Sequence, residues 1–176
     1  MKISIITAIG KNNEIGRRNE LLWNLPADMK HFRETTRNHT VIMGQKTFES
    51  LAKNEDGKQI GRLLPNRRNI ILTQDHSFKK EGAEVTYSVD ETINLLEKTS
   101  KKEEENFVIG GGQIYKLFID KADKLYITHV DGEFPDAEIF FPVIDKTKWK
   151  KIKSETLKKD ALNKYDLEFA LYVKKN

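Results

Sequence analysis

Asp28 is an acid set among apolar residues, in the stretch Leu21-Leu22-Trp23-Asn24-Leu25-Pro26-Ala27-Asp28-Met29-Lys30-His31-Phe32. Pro26 suits the first turn of a helix, where its missing N–H is no loss and its fixed φ is already right. From there Leu25, Met29 and Phe32 recur at helical spacing, the stripe of a face turned to a core. Asp28 lies on that side, one turn before Phe32. An acid in a first turn is favoured by the helix dipole alone. A carboxylate at the floor of an apolar pocket must instead gather donors or shift its pKa. A cationic heterocycle with adjacent N–H groups would satisfy it through two parallel hydrogen bonds.

Two strand–glycine–helix junctions carry a second kind of chemistry. In Thr40-Val41-Ile42-Met43-Gly44 followed by Gln45 to Leu51, a strand meets glycine and then a helix. Such a junction points backbone N–H groups and a positive dipole end at an anion, though it also serves as an ordinary tight turn. Phe107-Val108-Ile109-Gly110-Gly111-Gly112-Gln113-Ile114-Tyr115 is less ordinary, because consecutive glycines let another molecule approach the backbone with no Cβ in the way. Tyr115 stands where the dinucleotide fingerprint of a Rossmann fold would place its third glycine, so this is not that motif. The adjacent Arg67 and Arg68, just before an apolar run, have the geometry to clamp a carboxylate or to serve as plain surface charge.

Composition narrows the class. The 176 residues suit one domain with a sizeable core, 33% of them charged and 38% hydrophobic. The formal net charge of +4 is modest, and lysines are interspersed with acids, as in Lys101 to Glu105. That is a solvated surface rather than a one-signed nucleic-acid footprint. The absence of cysteine excludes disulfide and thiolate chemistry. No membrane-length apolar run or signal-peptide pattern is present, so a cytoplasmic enzyme or binding domain is expected; a monomer is the expected assembly. The histidines at 39, 76 and 129 lack metal-ligand spacing and read as structural or surface residues, with no metal expected.

These residues must be positioned by alternating strands and helices. Ile3 to Ile9 reads as a buried strand, and Gly10 to Asn19 as a polar, permissive loop placed to act as a lid. Lys53 to Leu63 reads as a surface loop, then strands at Ile70 to Thr73 and Val85 to Tyr87. Ser88 and Glu91 form a capping-box pattern opening a helix. Leu125 to Val130 is a further strand, followed by an acidic loop from Asp131 to Asp136. Lys148 to Ser154 and Tyr165 to Val173 read as an antiparallel pair, the second alternating with period two. The expected class is α/β, with a mainly parallel sheet closed at one edge by this hairpin.

The motifs together resemble dihydrofolate reductase: Ile15-Gly16 with the Leu21 to Asp28 signature, Val41 to Gly44 with Thr47 to Ser50, Arg67 to Asn69, Ile109 to Tyr115, and Leu125 to His129, in the family's order and over nearly the whole chain. The resemblance implies a central, mostly parallel eight-stranded sheet with about four flanking helices, and NADPH-dependent reduction of 7,8-dihydrofolate. It implies that Asp28, with Thr128 in support, binds the pterin 2-amino group and N3, and that Trp23 acts through ordered water beside Leu21. Ile6, Ala8, Met29, Phe32, Leu51 and Ile109 would form apolar walls, and Arg67 would hold the substrate's α-carboxylate. Tyr115 would lie beside the nicotinamide, and Ala8, Ile15, Gly16 and Ile109 would also bind the cofactor. Gly44, Gln45, Lys46, Thr47, Gly110, Gly111, Gly112, Gln113 and Ile114 would cradle the rest of the cofactor. The family's Gly110-Gly111 peptide is cis. Antifolates are implied as further ligands.

Three positions depart from the family pattern. Leu22 replaces the usual proline before Trp23. Gln45 replaces a common arginine, leaving Lys46, Thr73 and Gln74 as candidates for the cofactor's 2′-phosphate. The Lys53 to Leu63 loop is longer than in compact bacterial relatives. Hydride transfer requires stacked rings, so positioning carries most of the catalysis, and Asp28 would raise the basicity of N5 as the sole ionisable side chain in its pocket, with water as the direct proton donor. A riboflavin-pathway pyrimidine reductase lacks the Trp23 to Asp28 signature, a non-catalytic nucleotide module has no need of Asp28 and Thr128, and a nucleic-acid binder would show a basic stripe interleaved with aromatics.

Overall fold

A computed structural model describes residues 1–18 and 20–175. In chain order the elements are β1 (Lys2–Ile9), β2 (Glu14–Arg17), β3 (Glu20–Leu21), α1 (Pro26–Thr36), β4 (Thr40–Gly44), α2 (Gln45–Ser50), β5 (Arg68–Leu72) and β6 (Glu84–Thr86). They continue as α3 (Val89–Thr99), β7 (Glu105–Gly110), α4 (Gly112–Phe118), β8 (Lys124–Val130), β9 (Ile139–Phe140), β10 (Trp149–Leu157) and β11 (Leu167–Lys174).

Eight strands form one sheet in the order β10-β11-β8-β1-β7-β4-β5-β6. Pairings from β8 through β6 are parallel, while β11 runs antiparallel to both β8 and β10. The parallel strands are covered on both faces, which is why β1, β4, β5 and β7 are written as near-continuous apolar runs. Ile5, Val41, Ile42, Met43, Ile70, Ile71 and Val108 are fully buried there. The strand–glycine junctions fall at the C-terminal ends of adjacent β4 and β7, so both open on the same edge of the sheet.

Local signals explain most boundaries. Pro26 occupies the first turn of α1, and Ser88 Oγ accepts from the Glu91 N–H at 3.0 Å to start α3. Glu91 reaches the Tyr87 N–H at 2.7 Å rather than that of Ser88, so the capping box is shifted by one residue.

Three expectations require correction. The segment from Gly10 to Asn19 is not simply a loop: β2 pairs with β3 and with the distant β9 in a small second sheet, while Asn19 itself lies outside the described residues. Glu14 in β2 is 2% exposed, and its carboxylate accepts from the N–H groups of Asn12 (2.7 Å) and Phe134 (3.1 Å). Burial opposes its charge, yet these backbone donors win and hold its carboxyl below the usual range. The alternation in β11 is also not one-sided, since Leu167 and Ala170 are both buried, on opposite faces. Finally, Met29 is 39% exposed, so the α1 stripe is open at this position where a packed core was expected, while Leu25 at its start is buried.

Candidate active site

Asp28 sits in the first turn of α1, half-buried, with the Thr128 hydroxyl from β8 facing it as a hydrogen-bond donor. Among the described residues no N–H group or cation binds the carboxylate directly. Burial pushes its pKa up, and the Thr128 hydroxyl and the His31 ring offset only part of that push. His31 corrects the expectation of a sole ionisable group. It lies one turn along α1 from Asp28 and rests on Phe169 at 4.7 Å between ring centroids. Burial lowers its pKa, against the pull of Asp28, Glu155 and Glu34, with Lys153 adding to the lowering. Phe169 is the cross-strand partner of Thr128, so α1, β8 and β11 meet around this acid.

The start of α1 is fixed from far away in the chain. Its N-cap, Leu25, has no capping side chain, and the Ala27 N–H donates instead to Asn163 Oδ1 at 3.0 Å. Asn163 is 4% exposed, and its own N–H and side-chain amide are held by the Asp160 carboxylate at 2.7 and 3.1 Å. Sequence reasoning missed both His31 and Asn163. The first was legible from its helical spacing to Asp28; the second carries no local signal.

The apolar walls assemble around this acid. Ile6 and Ile109 belong to one buried cluster with Phe32 and Leu51 packed against it. Ala8 and Leu25 anchor a neighbouring cluster that includes Trp23, whose indole N–H is buried without a protein acceptor. Leu21 is 55% exposed. Arg67 and Arg68 diverge. Arg67 lies 5.9 Å over the Phe32 ring, whereas Arg68 pairs with Glu84 at 2.6 Å and takes no part in the cleft.

On the other side of Ile6, Tyr115 donates its hydroxyl to the Ile6 carbonyl at 3.1 Å. Burial raises the Tyr115 pKa, against a hydrogen bond with the Thr7 side chain, and the negative charge of Asp28 adds to the rise. The Gly110-Gly111 peptide is cis, and Gly110 has φ +118, with the Tyr115 hydroxyl 3.0 Å from where a Cβ would stand. A Cβ on Gly111 would lie 3.2 Å from Thr47 Oγ1, a tight contact in the gap between α2 and α4. Neither α2 nor α4 has a side chain capping its first-turn N–H groups. Uncapped helix starts flanking a glycine-lined gap fit a dinucleotide's phosphates. Ile15, Ile114 and Tyr115 share one buried cluster, Gly16, Gly44 and Gly112 are buried beside it, and Gln113 is exposed.

The 2′-phosphate candidates fare unevenly. Gln45 donates to Glu49 at 2.8 Å and accepts from Thr73 Oγ1 at 2.6 Å, and Thr73 Oγ1 also accepts from the Asp75 N–H at 3.0 Å. That leaves Thr73 without a free proton to donate, a correction to its candidacy; Lys46 and Gln74 are exposed. A hollow of about 310 Å³ lined by Asn38, His39, Thr40, Asn66, Arg67, Arg68 and Glu104 lies at the opposite ends of β4, β5 and β7 from the glycine junctions. Among the described residues no group of three or more His, Cys, Asp or Glu could hold a metal.

A family model described as dihydrofolate reductase matches residues 2–174. The chain belongs to the dihydrofolate reductase family. A dihydrofolate reductase from Bacillus subtilis (strain 168) is 41% identical over 174 residues, covering 99% of this chain and 95% of that one. A dihydrofolate reductase from Staphylococcus haemolyticus is 38% identical over 172 residues, covering 98% and 95%. The fold is similar to that of dihydrofolate reductase from Enterococcus faecalis complexed with NADP(H) and RAB-propyl, with TM-score 0.84, 31% identity, and coverage of 99% and 97%. Among the described residues no helix is long and apolar enough to cross a membrane.

Proposed function

We propose that Asp28, supported by Thr128, grips the pteridine, that Ile6, Ala8, Met29, Phe32, Leu51 and Ile109 wall the substrate, and that Arg67 takes its α-carboxylate. The activity is the NADPH-dependent reduction of 7,8-dihydrofolate to 5,6,7,8-tetrahydrofolate. The observation that carries the assignment of Asp28 is a half-buried carboxylate facing one hydroxyl and no cation, a group that lacks the paired donors a pterin's 2-amino group and N3 would bring.

When bound, NADPH would supply the hydride for pterin C6. The chain's own residues do the positioning. Ile6 and Ile109 set a flat apolar floor, and Phe32 and Leu51 close its sides. The Asp28 charge favours the protonated form of the bound ring, raising the basicity of N5. Trp23, with its indole N–H unmatched by protein, is suited to hold a water, and Leu21 borders that water's entry. The segment from Gly10 to Asn19 acts as the lid, and just beyond it Glu20 is tied to Lys53 by an ion pair. Gly44 to Thr47 and Gly110 to Tyr115 would hold the cofactor, with Lys46 and Gln74 exposed for its 2′-phosphate and Thr73 bracing Gln45. The chain works as one domain, a cytoplasmic monomer.

Asp28→Asn tests the central role. The variant should fold, bind NADPH, and lose turnover at pH 7 by about 10²-fold or more, the lower range for removing a group that promotes proton transfer. Near-wild-type oxidation of NADPH with dihydrofolate at that pH would sink the assignment.

A further inference from the structure

Gln45 is the first residue of α2, and its amide reaches across to Thr73, the residue that follows β5. Nε2 donates to Glu49 Oε1 at 2.8 Å, and the amide oxygen accepts from Thr73 Oγ1 at 2.6 Å. A carboxylate only accepts, so these two bonds allow the amide one orientation. Thr73 gives its hydroxyl proton to that bond and accepts from the Asp75 N–H at 3.0 Å. A single Nε2 hydrogen is left on Gln45, a neutral donor.

These side chains stand where the far end of the cofactor would fall. Tyr115, bonded to Ile6 of β1, marks the nicotinamide end, and the glycine junctions after β7 and β4 mark the phosphates. The sheet order β1-β7-β4-β5 then carries the adenosine towards β5, where Gln45 meets Thr73. The charges there suit a phosphate monoester poorly, since it carries nearly two negative charges at neutral pH. Glu49 is half-buried, and among the described residues no Lys or Arg lies within ion-pair distance of it. Asp75 brings a second carboxylate beside Thr73, its Oδ1 accepting from the Ser77 N–H at 2.9 Å. Of Gln45, Lys46, Thr73 and Gln74, only Lys46 is a cation.

Resting on the placement of the cofactor along this edge, we propose that Glu49, held against Gln45, narrows the chain's discrimination between dinucleotides with and without a 2′-phosphate. The two forms differ only in that group, so its surroundings alone decide the preference. Here one amide hydrogen is drawn to Glu49, the remaining donor is uncharged and weaker than a cation would be, and the carboxylate repels the phosphate. Lys46, exposed, restores a few-fold preference and no more. Reduction with NADPH stands, and NADH is admitted at comparable concentration. Glu49 touches neither reacting ring and acts on specificity alone.

The test titrates the folate-free protein with NADPH and with NADH, following energy transfer from tryptophan to the reduced nicotinamide. The two dissociation constants should lie within about tenfold at low ionic strength. Glu49→Gln keeps an acceptor for Gln45 Nε2 and removes only the charge. It should tighten NADPH about two- to fivefold, leave NADH within about twofold, and lose its effect in high salt. Gln45→Arg should raise the preference for NADPH by about tenfold or more, through a charge-assisted bond to the phosphate. A wild-type preference beyond tenfold would overturn the proposal, as would an unchanged ratio in Glu49→Gln or in Gln45→Arg. Weaker binding of both cofactors in Glu49→Gln would show a structural role and overturn it too. Failure of the wild-type protein to bind either cofactor would instead overturn the placement of the cofactor.

Discussion

Asp28 is held where its charge is disfavoured, and that has a sign that stability can read. Its folded-state pKa is raised by burial, with Thr128 and His31 offsetting part of the rise. Below the ordinary Asp value both folded and unfolded chains carry the proton, and the group contributes nothing to pH dependence. As pH climbs through the window between that value and the raised one, the unfolded chain loses its proton first, so stability falls. Above the folded pKa the full penalty is present. Asp28→Asn should therefore raise the melting temperature of the ligand-free protein at pH 7, by roughly 2–4 °C for a change near 1 kcal/mol in a chain of this size. At about pH 3, where Asp28 is protonated, the difference should vanish. Calorimetry at the two pH values checks both arms, and a variant less stable than wild type at pH 7 would refute the account. A residue that lowers stability while supporting turnover belongs to a binding site rather than a core.

At the scale of elements, the orientation of α1 depends on a contact 136 residues away, Ala27 N–H to Asn163. Asn163→Ala should cost about 1 kcal/mol, the usual loss for an N-cap acceptor. It should also raise KM for dihydrofolate, because Asp28 follows Ala27 directly. Asp160 acts through Asn163, so Asp160→Ala should have a similar effect and the double variant should be no worse than either single one. Thermal denaturation of the set checks this, and full additivity would separate the two residues. The same contact marks where sequence reading stops. The strand–glycine–helix junctions, the Pro26 helix start and the Ser88 cap were legible because their causes lie within a few residues. The Asn163 cap and the pairing of β2 with β9 were not, since each joins segments more than a hundred residues apart and neither leaves a periodic trace. Within the site, the resemblance named Asp28, Thr128 and the glycines, whereas Arg68 and Thr73 found local partners that their residue types could not reveal.

Over the whole molecule, charge is distributed by purpose. Residues 145–175 hold ten lysines against five acids, while the chain's net charge is only +4, so the rest of the surface is close to neutral. Much of this excess lies on or beside β10, the exposed edge of the sheet. Its outer backbone groups are a template for pairing with another chain, and lysine together with a bulge is a common defence. Both occur here: Lys150, Lys151 and Lys153 line the strand, and the register slips between Lys151 and Lys153. Lys151 is committed to Glu168 at 2.6 Å, which leaves Lys150 and Lys153 to repel an approaching strand. Lys150→Val/Lys153→Val should therefore keep the circular dichroism spectrum of the fold but add species larger than those of the unsubstituted protein with rising concentration. Light scattering after size-exclusion chromatography reads this directly. A variant whose mass matches that of the unsubstituted protein across the range would place the protection in the bulge rather than in the lysines.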